Sequence, residues 1–224
     1  KWVDEDENEG KNLHEEFFLN ENLNRNSIAG KFSYNKITNL SKGKKLLSNF
    51  NNLLQNNLNT IVYNFVDTLS HARTEMEVIK ELAEDESAYR SLTLSWFKHS
   101  PLYEMIKRMR DSSSRVFLTT DHGTIRVKNP TKIMGPKQTN SNMRYKASKN
   151  LCYNKKHVME SLNLHEIMLP KNNLSSSYVF AKENNFFVYP NNYHQFATLY
   201  NDTFQHGGIS LEEMLIPYVF LRSK

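Results

Sequence analysis

Cysteine is almost missing from this chain: Cys152 is the only one in 224 residues. A single thiol excludes an internal disulfide framework and fits a reducing compartment. There is no Cys-x-x-Cys and no Cys/His finger, so any bound zinc would have to rest on carboxylates and imidazoles. Long apolar runs are missing as well. None is long enough to span a bilayer, and no signal-peptide pattern opens the chain, so the expectation is a cytoplasmic protein with no membrane partner. Glycine is scarce at 7 residues, in a chain rich in Asn and Lys, a bias that an AT-rich genome would also produce. Acidic residues are absent between Asp121 and Glu160, a stretch that carries nine cations: Arg126, Lys128, Lys132, Lys137, Arg144, Lys146, Lys149, Lys155 and Lys156. The whole chain carries only +5, so this is a local concentration of charge.

The stretch from Phe117 to Thr124 organises the reading of what is present. Arg115 to Thr119 is β-branched and aromatic and reads as a buried strand. It ends in Asp121-His122-Gly123, a hard oxygen beside a nitrogen, suited to zinc or a similar ion at a strand's carboxyl end. Taken alone, that tripeptide reads better as a tight turn capped by its own Asp and His. Two other pieces share its character. Thr60 to Val66 is strand-like and runs into Asp67-Thr-Leu-Ser-His71, where an opening helical turn would place positions i and i+4 on one face. Near the other end, His206-Gly-Gly-Ile-Ser-Leu-Glu-Glu213 combines an imidazole, two glycines that allow close backbone approach, and a helix start with Ser210 as cap and Glu213 three residues on. Any one of these histidines has an ordinary surface or core explanation. Three such clusters in order point to a shared metal site on Asp67, His71, Asp121, His122 and His206.

The basic segment is the second feature. Tyr145 and Tyr153 are interleaved with its cations, a combination that suits a polyanion with bases to stack on, a nucleotide or an oligonucleotide. Lys128, Arg144, Tyr145 and Lys146 are the candidate substrate contacts. The bland alternative is a solvated, flexible basic loop, which Pro130, Gly135 and Pro136 would also fit. Lys42-Gly-Lys-Lys45 lacks the spacing of a phosphate loop.

The rest of the chain supplies a scaffold. The acidic first nine residues read as a loop. His14 to Leu19 reads as a short helix, and 31–34 as a strand or loop. Leu46, Leu47, Phe50, Leu53 and Leu54 read as one amphipathic helix. Arg73 to Glu86 reads as helix with Met76, Ile79 and Leu82 facing inward, and 87–97 as a second helix or an irregular apolar segment. Ser100-Pro101 opens a helix with Leu102, Met105, Ile106 and Met109 on one face. Strand, helices, strand predicts a βαβ crossover with Asp67 and Asp121 ending parallel strands of one sheet. Residues 178–181 and 186–189 read as a hairpin, and 190–194 as a loop carrying a surface histidine, His194. Residues 214–221 read as a buried strand, held at an edge or bulge by Pro217.

Asp67-x-x-x-His71, Asp121-His122-Gly123 and His206-Gly-Gly-x-Ser-Leu-Glu-Glu together resemble the alkaline phosphatase superfamily, and more narrowly its PglZ domain. The runs 119–130 and 143–151 are similar to the PglZ-containing response regulators of the PorX type, linked to type IX secretion in Bacteroidetes. The resemblance implies an α/β fold with a mostly parallel sheet flanked by helices. Residues 1–58 would form a helical and loop lead-in and 59–224 the metal-binding core, with the first strand, its metal-binding Asp and a Thr or Ser nucleophile lying upstream of residue 1. It implies one or two zinc ions: Asp67, His71 and His206 would hold one, and Asp121 and His122 most of a second. A phosphodiesterase acting on cyclic and linear oligonucleotides follows from it, with little turnover in this chain alone. Implied partners are an upstream receiver domain, a histidine kinase, an alternative sigma factor and a second copy of the chain. Two rival readings remain: a metal-stabilised module that mainly binds proteins, and a plain nucleic-acid binder.

Overall fold

The computed structural model describes residues 14–136, 139–161, 169 and 177–222. The acidic stretch at the start and Lys137 lie outside the described residues. The described chain divides into two compact units, one spanning Leu118–Val219 and the other taking residues 14–117 and 220–222.

In the second of these, α1 (Glu15–Arg25) is followed by β1 (Phe32–Ile37), α2 (Leu40–Ser48), α3 (Phe50–Leu53), β2 (Leu58–Tyr63), α4 (Phe65–Glu75), α5 (Glu77–Leu82), α6 (Glu86–Lys98) and α7 (Pro101–Met109). β1, inside the expected lead-in, runs parallel to β2 along its whole length, Phe32 opposite Leu58 through Ile37 opposite Tyr63. The core beneath them is Ile37, Leu46, Phe50, Leu53 and Met105. The expected helix over 46–54 is two helices, because Asn49 leaves helical geometry and serves as end cap of one and start of the next. Asn favours such positions by competing for backbone hydrogen bonds. Its apolar spacing nonetheless holds for Leu46, Phe50 and Leu53, while Leu54 is exposed. α7 forms as its spacing requires: Ser100 Oγ accepts from Tyr103 N–H at 3.2 Å, Pro101 takes the first turn, and Met105 is fully buried.

The 73–86 stretch differs from expectation. Met76 adopts an extended conformation that separates α4 from α5, and Met76 and Leu82 face solvent. Ile79 is half-buried and Ala83 and Arg73 are buried; Arg73 Nε donates to Ala83 O at 2.6 Å and its Nη2 to Glu84 O at 2.9 Å. A guanidinium has enough donors to satisfy the terminal carbonyls of α5, a task no methionine can perform.

The strand β3 (Arg115–Thr119) pairs with the last strand of the chain. After it come β4 (Ile125–Arg126), β5 (Asn129–Met134), β6 (Tyr145–Ser148), β7 (Cys152–Tyr153), β8 (Val158–Ser161), β9 (Ser177–Ala181), β10 (Asn185–Val188), α8 (Tyr193–Tyr200), β11 (Phe204–Gln205), α9 (Leu211–Met214) and β12 (Tyr218–Arg222). β9 is the centre of an antiparallel sheet, flanked by β6 and β8. β5 lies between β10, parallel, and β7, antiparallel. Ile133, Val158, Val179, Ala181 and Phe187 fill one core, and Ile125, Val127, Phe186 and Val188 another.

The fold is therefore α/β with small mixed sheets, not a mostly parallel sheet. Among the described residues β2 pairs with β1 and β3 with β12, so the predicted crossover sheet carrying Asp67 and Asp121 on one edge is not formed. β3 and β12 are exposed rather than buried, because each has a single neighbouring strand; Phe117 and Phe220 stack on each other at 4.9 Å and both remain partly in solvent. The predicted hairpin is absent too. A tight turn, with Asn185 N–H donating to Lys182 O at 3.0 Å, joins β9 and β10, but the two strands pair in different sheets.

Candidate metal centre

β3 stops at Thr119, and the next residues turn sharply. Asp121 Oδ1 accepts from His122 N–H at 3.1 Å, and Thr120 Oγ1 donates to His122 O at 3.0 Å. These are the bonds of a self-capped turn, and the same turn projects the imidazole. His122 Nδ1 lies 3.0 Å from Gly123 O. A carbonyl only accepts, so the proton sits on Nδ1 and the lone pair on Nε2, the tautomer a metal ligand needs. Gly123 N–H donates to Glu213 O at 2.8 Å, and a Cβ on Gly123 would stand 1.9 Å from Glu212 O. That approach of two backbones is open to glycine alone.

The second imidazole leaves the end of the β4–β11 ladder. Gly207 has φ of +97°, a conformation other residues rarely adopt, and Gly208 N–H donates to Glu213 Oε1 at 2.8 Å. Glu213 Oε2 accepts from Ser210 N–H at 3.1 Å, the acidic half of a capping box at the start of α9. The carboxylate is also held by Arg144 through two bonds, Nε to Oε1 at 3.0 Å and Nη2 to Oε2 at 2.9 Å, and both side chains are buried. Burial alone would raise the Glu213 pKa. The Arg144 charge and hydrogen bond, with the Gly208 and Ser210 bonds, outweigh it and hold the carboxyl below its ordinary range. On this frame the rings of His122 and His206 stack with centroids 4.0 Å apart and 12° between planes. Their ring nitrogens lie within 4.8 Å of each other. Two ligands of one tetrahedral zinc sit roughly 3.3 Å apart, so the rings would turn out of their stack for both in-plane lone pairs to converge on one ion. Asp121 Oδ1 is 3.8 Å from His122 Nε2.

In the other unit, β2 ends at Tyr63 and α4 opens after Asn64. Asp67 falls in the first turn, where a negative charge suits the helix dipole, and His71 follows one turn later with Nε2 3.5 Å from Asp67 Oδ1. The buried side of α4 is anchored: Ser70 Oγ is 2.7 Å from Tyr89 OH, which donates to Val66 O at 3.0 Å. The i, i+4 pairing expected of Asp67 and His71 is thus present.

Among the described residues the basic segment holds five short strands, β4 to β8, with turns and loops between them. Arg126 pairs with Asp202, and Lys132 lies over the Tyr193 ring at 4.8 Å. Arg144 and Lys146, expected as substrate contacts, point inward. Arg144 is committed to Glu213, and Lys146 is buried over Tyr189, at 4.7 Å from the ring, with Nζ donating to Asn140 O at 2.7 Å. Burial pulls the Lys146 pKa down to about 8. Tyr145 is half-buried among Tyr178 and Phe180. Lys128, Lys149, Lys155 and Lys156 are exposed. An open groove of about 800 Å³ is lined in part by Lys132, Lys156, Lys182, Tyr153 and Tyr193. His194 lies exposed on α8, a surface histidine. Sequence reasoning missed the partnership of Arg144 with Glu213. Its signal was available, since an acid three residues after a cap and five after Gly-Gly needs a cation if it is buried.

The Asp-His-Gly turn after β3 sets one imidazole against a second from His-Gly-Gly, two nitrogen donors of the kind divalent metals take. The family model described as the BREX system PglZ alkaline phosphatase-like domain matches residues 1–221, and the chain belongs to that family. No curated protein matches it. An alkaline phosphatase-like domain suggests a phosphoesterase-type hydrolase, and enzymes of this kind usually use metal ions.

Proposed function

We propose that this PglZ domain is a zinc-dependent phosphodiesterase acting on nucleotides or on cyclic and linear oligonucleotides. We further propose that it serves as the effector module of a PorX-type response regulator controlling type IX secretion. The paired imidazoles of His122 and His206 carry the metal part of this reading. Asp67, His71 and Asp121 are further ligands on the strength of the ordered motifs. Bound zinc supplies a Lewis acid for the phosphoryl oxygens and an activated oxygen nucleophile. The chain's own contribution is orientation. The Nδ1 bond to Gly123 O fixes the His122 tautomer, and the buried frame around Glu213 fixes the loop that bears His206. The groove lined in part by Lys132, Lys156 and Lys182, with Glu183 as its one acid among the described residues, favours a diester substrate, because a chain of phosphates gains from several cations.

Metal analysis of the purified chain tests the first part. Zinc should copurify or rebind at one or two equivalents and be lost in His122→Ala and His206→Ala. In the proposed response regulator, hydrolysis of bis(nitrophenyl) phosphate should fall about 100-fold or more in the same variants. Absence of zinc binding in the unaltered chain refutes the reading.

The second reading, a metal-stabilised module that binds a sigma factor or histidine kinase, is supported by the exposure of Leu211, Leu215 and Tyr218, each about 70% exposed. Under that reading His122→Ala loses hydrolysis and retains capture of the partner.

A further inference from the structure

The buried Arg144–Glu213 pair lies outside the expected ligand set and touches both loops that carry imidazoles. Glu213 accepts Gly123 N–H on its backbone carbonyl, one residue from His122, and Gly208 N–H on its carboxylate, two residues from His206. Arg144 aligns that carboxylate with two bonds and is itself set by Asn142, whose Oδ1 accepts Arg144 N–H at 2.7 Å and whose Nδ2 is 3.4 Å from His206 O. The glycines leave no slack. A Cβ on Gly208 would meet Glu213 Oε2 at 2.6 Å and Arg144 Nε at 3.0 Å, and one on Gly207 would meet Asn142 Nδ2 at 2.8 Å.

We infer that Glu213, braced by Arg144, is the positioning residue that couples the Asp121-His122-Gly123 turn to the His206-Gly-Gly loop and so sets the separation of the two imidazoles for one divalent ion. The inference rests on the metal reading proposed above. A local capping role would hold only the start of α9. A brace holds two loops more than eighty residues apart in sequence, at one residue. Outer partners that orient metal ligands typically change affinity 10- to 100-fold when altered.

The test uses the unaltered chain, Glu213→Gln and Gly208→Ala. The glycine variant leaves both charges in place and forces the loop and the Arg144–Glu213 pair apart, so it remains informative if Glu213→Gln does not fold. Two measurements are made: Zn²⁺ and Co²⁺ affinity with the Co²⁺ visible spectrum, and amide hydrogen exchange of the metal-free chain. Expected are a 10- to 100-fold loss of affinity with an altered spectrum in both variants, and faster exchange at Gly123 together with Gly208 in Glu213→Gln. Unchanged affinity and spectrum with only a lowered melting temperature overturn the brace. So does exchange that accelerates at Gly208 and Ser210 but not at Gly123. Should the unaltered chain bind no metal, the proposed function fails while the exchange data still decide the coupling.

Discussion

Between pH 7 and pH 9.5 this protein is expected to become more stable, because Lys146 holds a charge where water cannot reach it. The side chain is 1% exposed, and burial lowers its pKa from 10.5 to about 8. The folded state therefore releases the proton first. Below pH 8 both states are protonated and folding bears the full cost of the buried charge. Between about pH 8 and 10.5 the unfolded chain binds more protons than the folded one, so stability rises with pH. At about 1.4 kcal/mol per pH unit, the drop from 10.5 to about 8 corresponds to about 3 kcal/mol over the whole window, of which about 2 kcal/mol is recovered by pH 9.5. The tyrosines act in the opposite sense at higher pH. Burial raises Tyr63, Tyr89 and Tyr189, and raises Tyr153 to about 12, so their contribution is present below pH 10 and is lost above it. The clean interval is thus pH 7 to 9.5. Urea unfolding at pH 7, 8.5 and 9.5 measures the slope in the unaltered chain and in Lys146→Met, which keeps the length of the stem and removes the titrating group. The slope should be nearly flat in the variant. Equal slopes in both proteins refute the argument and return Lys146 to solvent.

Three further outcomes are expected. Gly123→Ala places a methyl 1.9 Å from Glu212 O, so the backbone must part there. The melting temperature and zinc affinity should both fall, and an unchanged pair of values would contradict the observed approach. Met105→Ala empties the centre of the Ile37, Leu46, Phe50 and Leu53 core and should cost about 2–5 kcal/mol in denaturant unfolding. Zinc at 100 times its dissociation constant should stabilise the chain by about 2.7 kcal/mol. Thermal melts with and without chelator should show this in the unaltered chain and not in His206→Ala.

What could be read without coordinates was set by local rules. Ser100-Pro101 and the Leu102, Met105, Ile106, Met109 spacing specify a capped amphipathic helix, because capping bonds and a 3.6-residue period involve only near neighbours. The Asp67/His71 turn followed in the same way, as did Ser210 and Glu213 at the start of α9. Pairing was beyond those rules. Residues 178–181 and 186–189 are each strand-like, yet each finds its partner elsewhere in the chain, and β3 and β12 are apolar strands that stay exposed. A strand pattern states which residues want burial, not which strand will cover them.

The chemistry divides along the same line. The residue types and order of Asp67, His71, Asp121, His122 and His206 are written in the chain. The sign of the basic segment is written there too. Only tertiary structure decided that two of its cations, Arg144 and Lys146, turn inward, one to neutralise Glu213 and the other to lie over Tyr189. It likewise decided that the imidazoles of His122 and His206 meet. The physical reason is that charge and donor type belong to a residue, whereas burial and proximity belong to whatever distant segment packs against it.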